Sequence, residues 1–205
     1  MQVLPNGTHL IPGYLDRPQQ SEILKEIREI IRVAPLYKPT MPKTGKPLSV
    51  QMSNCGTLGW VCDKEGGYRY QAHHPVTGEY WPPIPQSLIN IWHELASSNV
   101  TPEACLINYY QADARMGLHQ DKDEETFDEP VISVSLGDTC LFRLGSPDKR
   151  GRTISFKLHS GDALILSDSS RMAFHGVDRI YADTSTLLKH GGRVNLTLRR
   201  VTKSR

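Results

Sequence analysis

The feature that most constrains the fold is an alternation of apolar and polar residues that begins near residue 104 and continues almost to the C-terminus. Successive side chains of a β-strand point to opposite faces, so this repeat is typical of strands with one buried face. Turn residues such as Gly137-Asp138 and Gly161-Asp162 separate the repeats. The pattern predicts a sandwich, a barrel or a jelly roll. The predicted strands are 104–110, 116–121, 131–136, 139–144, 153–159, 163–167, a segment around 174–177, and 193–201.

The first hundred residues follow a different pattern. Apolar residues recur at helical spacing in 16–33 and in 86–97, which predicts two helices packed on a sheet. Asp16 is suited to cap the first helix, with Gln19 placed to complete a capping box. The stretch between them, 35–85, is rich in Pro, Gly and aromatic residues and predicts loops. Its aromatic side chains either cover the core or bind a flat ligand.

Composition limits the class of protein. A chain of 205 residues with 38% hydrophobic residues fits one domain, 1–205, in which 1–100 carry the helices and 101–205 the strands. The four cysteines include no C-x-x-C pair and no signal peptide is visible, so we expect reduced thiols and a cytoplasmic location. No apolar run of about 20 residues is visible either, so we expect no membrane contact. The net charge of +2 permits a nucleic-acid partner without requiring one.

Three residues suggest a metal site. His119 and Asp121 share a face if their strand is regular, and His175 ends a later apolar segment. Two His and one carboxylate leave coordination positions open, which suits non-heme Fe(II) enzymes that activate O2. Zinc accepts the same ligands, and a His–Asp pair is also a common structural hydrogen bond. The neighbouring pair His73-His74 has no carboxylate spaced to join it and is predicted to lie in a surface turn.

The last predicted strand carries polar residues on one face, among them Arg193 and Arg199. That face is either solvated or, if it lies inside a barrel, in need of anions. Arginine binds carboxylates through paired hydrogen bonds. 2-Oxoglutarate would satisfy both sites, because its 2-oxo acid end chelates Fe(II) while its distal carboxylate meets Arg193. Further hydrogen-bonding candidates are Asn108, Tyr110, Ser133 and Asn195.

Together these segments resemble the AlkB family of Fe(II)- and 2-oxoglutarate-dependent dioxygenases. The resemblance covers about residues 48–200 and is specific in combination, although each motif is short. The matching segments are Asn108–Tyr110, Leu118–Glu124, Ser133–Gly137, Phe174–Gly176, Arg193–Arg199, Met52–Trp60, Gly67-Tyr68 and Trp81–Pro85.

The resemblance implies an α+β, mainly β fold, a double-stranded β-helix (jelly roll) with flanking helices and a nucleotide-recognition lid. It implies Fe(II) on His119, Asp121 and His175, with 2-oxoglutarate and O2 as co-substrates. The residues expected to hold 2-oxoglutarate are Asn108, Tyr110, Ser133, Arg193, Asn195 and Arg199.

The same resemblance implies a pocket for an extruded base. Trp60 would stack on the base opposite the ring of His119, and Asp123 would lie near the base edge. The other residues expected to contact substrate are Met52, Tyr68, Arg115, Gln120, Lys149 and Arg150.

The expected reaction is oxidative demethylation of bases such as 1-methyladenine and 3-methylcytosine, with release of formaldehyde. The expected partner is alkylated single-stranded or double-stranded DNA, with RNA as a further candidate, and the protein is expected to be a monomer. Two alternatives stay open. One is a 2-oxoglutarate oxygenase acting on a protein or small molecule, and the other is a non-catalytic lesion-binding protein.

Overall fold

The computed structural model describes residues 1–148 and 151–203. The helices are α1 (Arg17–Val33) and α2 (Gln86–Leu95), with a single 3₁₀ turn at Asp168–Ser170. The strands are β1 (Gln2–Val3), β2 (His9–Ile11), β3 (Gln51–Gly56), β4 (Gly59–Asp63), β5 (Gly67–Gln71), β6 (Ala104–Tyr110), β7 (Met116–His119), β8 (Val131–Gly137), β9 (Thr139–Leu144), β10 (Ile154–Leu158), β11 (Ala163–Leu166), β12 (His175–Tyr181) and β13 (Arg193–Arg199).

The strands form two principal sheets and one hairpin. The major sheet has the order β1-β2-β11-β8-β13-β6-β3, and the minor sheet has the order β10-β9-β12-β7. All of these pairs are antiparallel. The two sheets enclose one apolar cluster that takes residues from both, which is the arrangement of a jelly roll. The predicted mainly β fold is therefore confirmed.

The two helices cover the outer face of the major sheet. Their apolar stripes join one core cluster with the outward-facing side chains of β6, β8 and β13. Asp16 accepts a hydrogen bond from the Gln19 backbone N–H at 2.8 Å, while the Gln19 side chain accepts one from the Asp16 N–H, so the predicted capping box is present. No helix in the described part of the chain is long and apolar enough to cross a membrane.

β13 lies at the centre of the major sheet, between β8 and β6. Val194, Leu196 and Leu198 belong to the cluster under the helices, so the alternate residues of the strand face the interior between the sheets. Arg193 and Arg199 are only 1% and 6% exposed. The polar face of this strand is consequently buried, and the alternative of a solvated face is excluded.

The region 35–85 has more regular structure than its composition predicts. β3 joins the edge of the major sheet, and β4 pairs with β5 in a separate hairpin. The prediction of a surface turn at His73-His74 is wrong for His74, which is 1% exposed. Its ring contacts those of Tyr37 and Trp81, and its Nε2 lies 2.8 Å from a backbone carbonyl oxygen. Packing of aromatic rings thus overrides the turn signal.

β7 is shorter than the sequence predicts. It ends at His119 rather than Asp121, and 120–130 contain no strand or helix. Regular alternation of side chains therefore does not explain the position of Asp121. That residue is instead held by ion pairs with side chains from elsewhere in the chain.

Candidate active site

The interior of the jelly roll brings together the three residues predicted to bind metal. His119 ends β7, His175 begins β12, and these two residues are paired across the minor sheet. Asp121 follows β7 and is 5% exposed. One ligand atom from each residue lies within 4.8 Å of the other two, which suits a single ion. Within the part of the chain that the structure describes, this is the group of His, Cys, Asp and Glu side chains that has such geometry.

The two imidazoles are oriented by backbone carbonyls. Nδ1 of His119 lies 2.9 Å from the Gly117 oxygen, and Nδ1 of His175 lies 3.0 Å from the Ala173 oxygen. If each Nδ1 carries the proton, each Nε2 presents a lone pair toward Asp121, at 3.7 and 3.5 Å from its carboxylate oxygens. Partial burial of the ring, together with the nearby His175, lowers the pKa of His119 and favours the neutral form that binds metals.

The carboxylate of Asp121 is ready to act as a ligand. Burial alone would raise its pKa, but the charge of Arg199, whose Nη2 lies 2.8 Å from Oδ1, and the neighbouring His175 hold it well below the usual range. Its Oδ2 is buried and accepts no hydrogen bond from the described residues. An unpaired buried carboxylate oxygen is costly, and a metal ion at this position would remove that cost.

Arg193 forms no ion pair with any of the residues that the structure describes. Its Nη2 donates to the Ser135 Oγ at 3.0 Å, and its guanidinium lies over the ring of Tyr110 at 5.3 Å. The Nε and Nη1 atoms are buried without a hydrogen-bond partner in the described chain. A buried guanidinium with free N–H groups fits a carboxylate, which accepts paired hydrogen bonds.

The polar groups around Arg193 also lie in the interior. Asn195 Nδ2 donates to the Ser133 Oγ at 2.7 Å, while Asn108 Oδ1 is buried without a partner among the described residues. Burial and the charge of Arg193, which oppose each other, leave the pKa of Tyr110 raised to about 12, so its phenol is neutral. One cavity between the sheets is lined by the three predicted metal ligands and by all six residues expected to hold 2-oxoglutarate. These six are Asn108, Tyr110, Ser133, Arg193, Asn195 and Arg199.

Comparisons with known proteins agree with this geometry. A model of the 2OG-Fe(II) oxygenase superfamily matches residues 7–199. An alpha-ketoglutarate-dependent dioxygenase AlkB homolog from Caulobacter vibrioides is 44% identical over 98% of this chain and 90% of its own length. This chain belongs to the AlkB family of Fe(II)- and 2-oxoglutarate-dependent dioxygenases. The triad and the buried arginine are thus found in a chain of the enzyme class that uses Fe(II), 2-oxoglutarate and O2.

Two further similarities support the assignment. The alpha-ketoglutarate-dependent dioxygenase AlkB of Escherichia coli is 34% identical over 89% of this chain and 85% of its own length. The solved structure of OsALKBH1 superposes with a TM-score of 0.84 at 30% identity, covering 97% of this chain and 99% of that one.

The hairpin β4–β5 contacts the loop that follows β7. Trp60 Nε1 donates a hydrogen bond to Asp123 Oδ2 at 2.8 Å, and the rings of Trp60 and Tyr68 stack with centroids 5.8 Å apart. Trp60 and Tyr70 are directly paired across the hairpin, so both side chains are on one face. The Tyr70 hydroxyl donates to Glu124 Oε1 at 2.8 Å. The hairpin therefore rests on two consecutive carboxylates.

The other residues expected to contact substrate occupy varied positions. Met52 is 2% exposed in the apolar cluster between the sheets, whereas Arg115 is exposed and immediately precedes β7. The Gln120 amide donates to the carbonyls of Pro147 and Met172, which fixes the loop rather than leaving Nε2 for a ligand. Two of the expected contacts, Lys149 and Arg150, lie outside the described residues.

Sequence reasoning did not identify Tyr70, Glu124 and Arg171 as part of the site. The two charged side chains are buried, with Glu124 0% and Arg171 3% exposed. Arg171 donates a hydrogen bond to the backbone carbonyl of Asp121 and forms an ion pair with Glu124. Their sequence context resembles exposed loops, because charged residues are mostly found on surfaces. The sequence offered one indication, which is that Glu124 follows soon after His119 and Asp121 in the chain.

Proposed function

We propose that this oxygenase removes N-methyl groups from alkylated bases in nucleic acid. The observation that carries the proposal is the position of Trp60, whose indole is hydrogen-bonded to Asp123 two residues beyond Asp121. A flat aromatic side chain that is hydrogen-bonded to the loop carrying Asp121 suits a planar substrate. Membership of the AlkB family points to the same substrate class.

In this proposal His119, Asp121 and His175 hold Fe(II), and Arg193 holds the distal carboxylate of 2-oxoglutarate. When bound, Fe(II) with 2-oxoglutarate and O2 supplies an oxidation that hydroxylates the N-methyl group and releases succinate and CO2. The hydroxymethyl product then loses formaldehyde and the base is restored. The residues proposed to hold 2-oxoglutarate form a mostly buried group, called the cradle below, whose burial would keep water away from the bound co-substrate. Its members are Asn108, Tyr110, Ser133, Arg193, Asn195 and Arg199.

The methyl group of such lesions lies on the pairing edge, so the base must leave a duplex before it can react. Trp60 and His119 would stack on its two faces, and Tyr68, half exposed, would extend the aromatic wall. The carboxylate of Asp123 would attract a lesion that carries positive charge. Met52, Arg115, Gln120, Lys149 and Arg150 complete the proposed set of substrate contacts.

The proposal also covers domain organisation, partner, location and oligomeric state. Strands β1, β2 and β3 from the first hundred residues extend the major sheet formed by later strands, which supports a single catalytic domain. DNA, single-stranded or duplex, is the proposed partner, with RNA as a second form of the same substrate class. The four described cysteines are free and buried, which fits the proposed cytoplasmic location, and we propose that the protein acts as a monomer.

The test is aerobic turnover with Fe(II), ascorbate and 2-oxoglutarate on a single-stranded oligonucleotide carrying 1-methyladenine or 3-methylcytosine. Succinate and formaldehyde are both measured, and the unmethylated oligonucleotide is the control. We expect formaldehyde only with the methylated strands. Succinate without formaldehyde would place the substrate elsewhere, in a protein or small molecule. Neither product, from folded protein supplied with metal, would favour a lesion-binding protein.

A further inference from the structure

The position of Asp121 depends on two arginines. It follows the end of β7 in a segment without regular structure, so no strand fixes its orientation. Arg199 Nη2 reaches its Oδ1 at 2.8 Å, and Arg171 Nη1 donates to its backbone carbonyl at 2.8 Å. One arginine thus holds the side chain of the proposed metal ligand, and the other holds its main chain.

Both arginines are in turn held by Glu124. Arg199 Nη1 donates to Oε1 at 2.8 Å, and Arg171 Nη2 lies 3.4 Å from Oε2. The Glu124 side chain is fully buried, and two carboxylates face two guanidinium groups, so the charges balance. Without Glu124 the two cations would share only Asp121, and the orientation of that ligand would be less restricted.

Glu124 also connects this cluster to the hairpin. The Tyr70 hydroxyl donates to Glu124 Oε1 at 2.8 Å and accepts a hydrogen bond from Arg199 Nη1 at 3.0 Å. Tyr70 lies opposite Trp60 in the hairpin. A hydroxyl from the proposed base-binding element therefore contacts the charged groups that orient Asp121.

We propose that Glu124 and Tyr70 are positioning residues that couple the hairpin β4–β5 to the metal site. The coupling rests on the metal-binding role of Asp121 in the proposed function. Docking of Tyr70 favours the arrangement of Glu124 and Arg199 in which Asp121 points at the ion. Docking of the hairpin therefore raises the affinity for the metal. By thermodynamic linkage, metal binding must strengthen docking of the hairpin by the same factor.

The first test measures binding of Mn(II), a redox-stable substitute for Fe(II), by calorimetry on the full chain. We expect about 10-fold or greater weakening in Glu124→Gln, as is typical for residues that orient metal ligands, and a smaller loss in Tyr70→Phe. The double variant should bind no more weakly than Glu124→Gln, because both changes break one connection. The matched control is Tyr80→Phe, since Tyr80 is 71% exposed and contacts the ring of His73 instead.

The second readout is amide hydrogen exchange in residues 59–71 of the wild-type protein and of Tyr70→Phe. Mn(II) with 2-oxoglutarate should slow exchange in these residues of the wild-type protein, and this slowing should be smaller in Tyr70→Phe. If Tyr70 only stabilised the hairpin, the substitution would change exchange equally with and without metal. Unchanged Mn(II) affinity in both variants, or metal-independent exchange in the wild type, would overturn the coupling alone. Absence of Mn(II) binding by the wild-type protein would overturn the proposed function and the coupling together.

Discussion

The cradle around Arg193 and the face between the hairpin β4–β5 and the loop after β7 are built by different means. In the cradle, regular strands place the polar groups, and the antiparallel register of β13 with β6 and β8 fixes which of them meet. At the hairpin face, side-chain contacts such as Trp60 to Asp123 place the groups. The comparison indicates that strand register defines the proposed 2-oxoglutarate site, whereas the proposed substrate site depends on a small number of side-chain contacts.

The largest expected effect lies where the two regions meet. His119→Ala removes one metal ligand and one proposed wall of the base pocket, so turnover of 2-oxoglutarate should fall to background. The side chain is 37% exposed, so the midpoint of thermal unfolding should change little. Succinate release and thermal unfolding are measured in parallel. Turnover at the wild-type rate would remove His119 from the metal site.

The next effect tests the cradle alone. Arg193→Ala should raise the KM for 2-oxoglutarate by about 30-fold or more, since truncating one partner of a buried charge pair costs roughly 2–5 kcal/mol. Arg193→Lys keeps the charge but loses the paired hydrogen-bond geometry, so its KM for 2-oxoglutarate should lie between those of the wild type and Arg193→Ala. The affinity for a methylated oligonucleotide should stay near the wild-type value. A cradle variant that lost both affinities equally would show that the two regions are not independent.

A smaller effect is expected at the hairpin face. Trp60→Ala should weaken binding of a methylated oligonucleotide by about 5- to 150-fold, because a stacked base contributes roughly 1–3 kcal/mol. Fluorescence anisotropy of a labelled strand measures this, and the KM for 2-oxoglutarate is the internal control. Near wild-type binding would mean that Trp60 does not stack on the substrate.

The smallest effect concerns charge. Asp123→Asn keeps an oxygen to accept the Trp60 N–H but removes the negative charge. Because Asp123 is exposed, we expect a loss of about 5-fold or less in kcat/KM for cationic 3-methylcytosine, in line with roughly 0.2–1 kcal/mol for exposed ion pairs. Neutral 3-methylthymine should be unaffected. Equal losses on both bases would assign Asp123 a structural role.

The sequence predicted the structure well where the alternation of apolar and polar residues coincides with a regular strand. Alternation in β13 predicted that Arg193 and Asn195 share a face, and the structure confirms the strand. The structure also shows that this face is buried, which the alternation alone left open. Alternation failed after His119, because β7 ends there and ion pairs rather than strand geometry place Asp121. Long-range contacts of this kind leave no local repeat in a sequence.

The region 35–85 shows the same limit. Its Pro, Gly and aromatic residues predicted loops, yet β3 pairs with β6 and β4 pairs with β5. His74 is buried by Tyr37 and Trp81, which are distant from it in sequence or follow a turn. Packing partners that far apart cannot be assigned from composition, so the hairpin face was predicted only through family resemblance.

We propose that the metal triad and the cradle together supply the oxidation, while the hairpin face directs it to a methylated base. The ratio of formaldehyde to succinate, measured for the wild type and Trp60→Ala on the same 1-methyladenine strand, tests this directly. We predict a ratio near one for the wild type. In Trp60→Ala, succinate should still form while formaldehyde falls, so that the ratio drops severalfold. Parallel loss of both products at an unchanged ratio would contradict the division of roles.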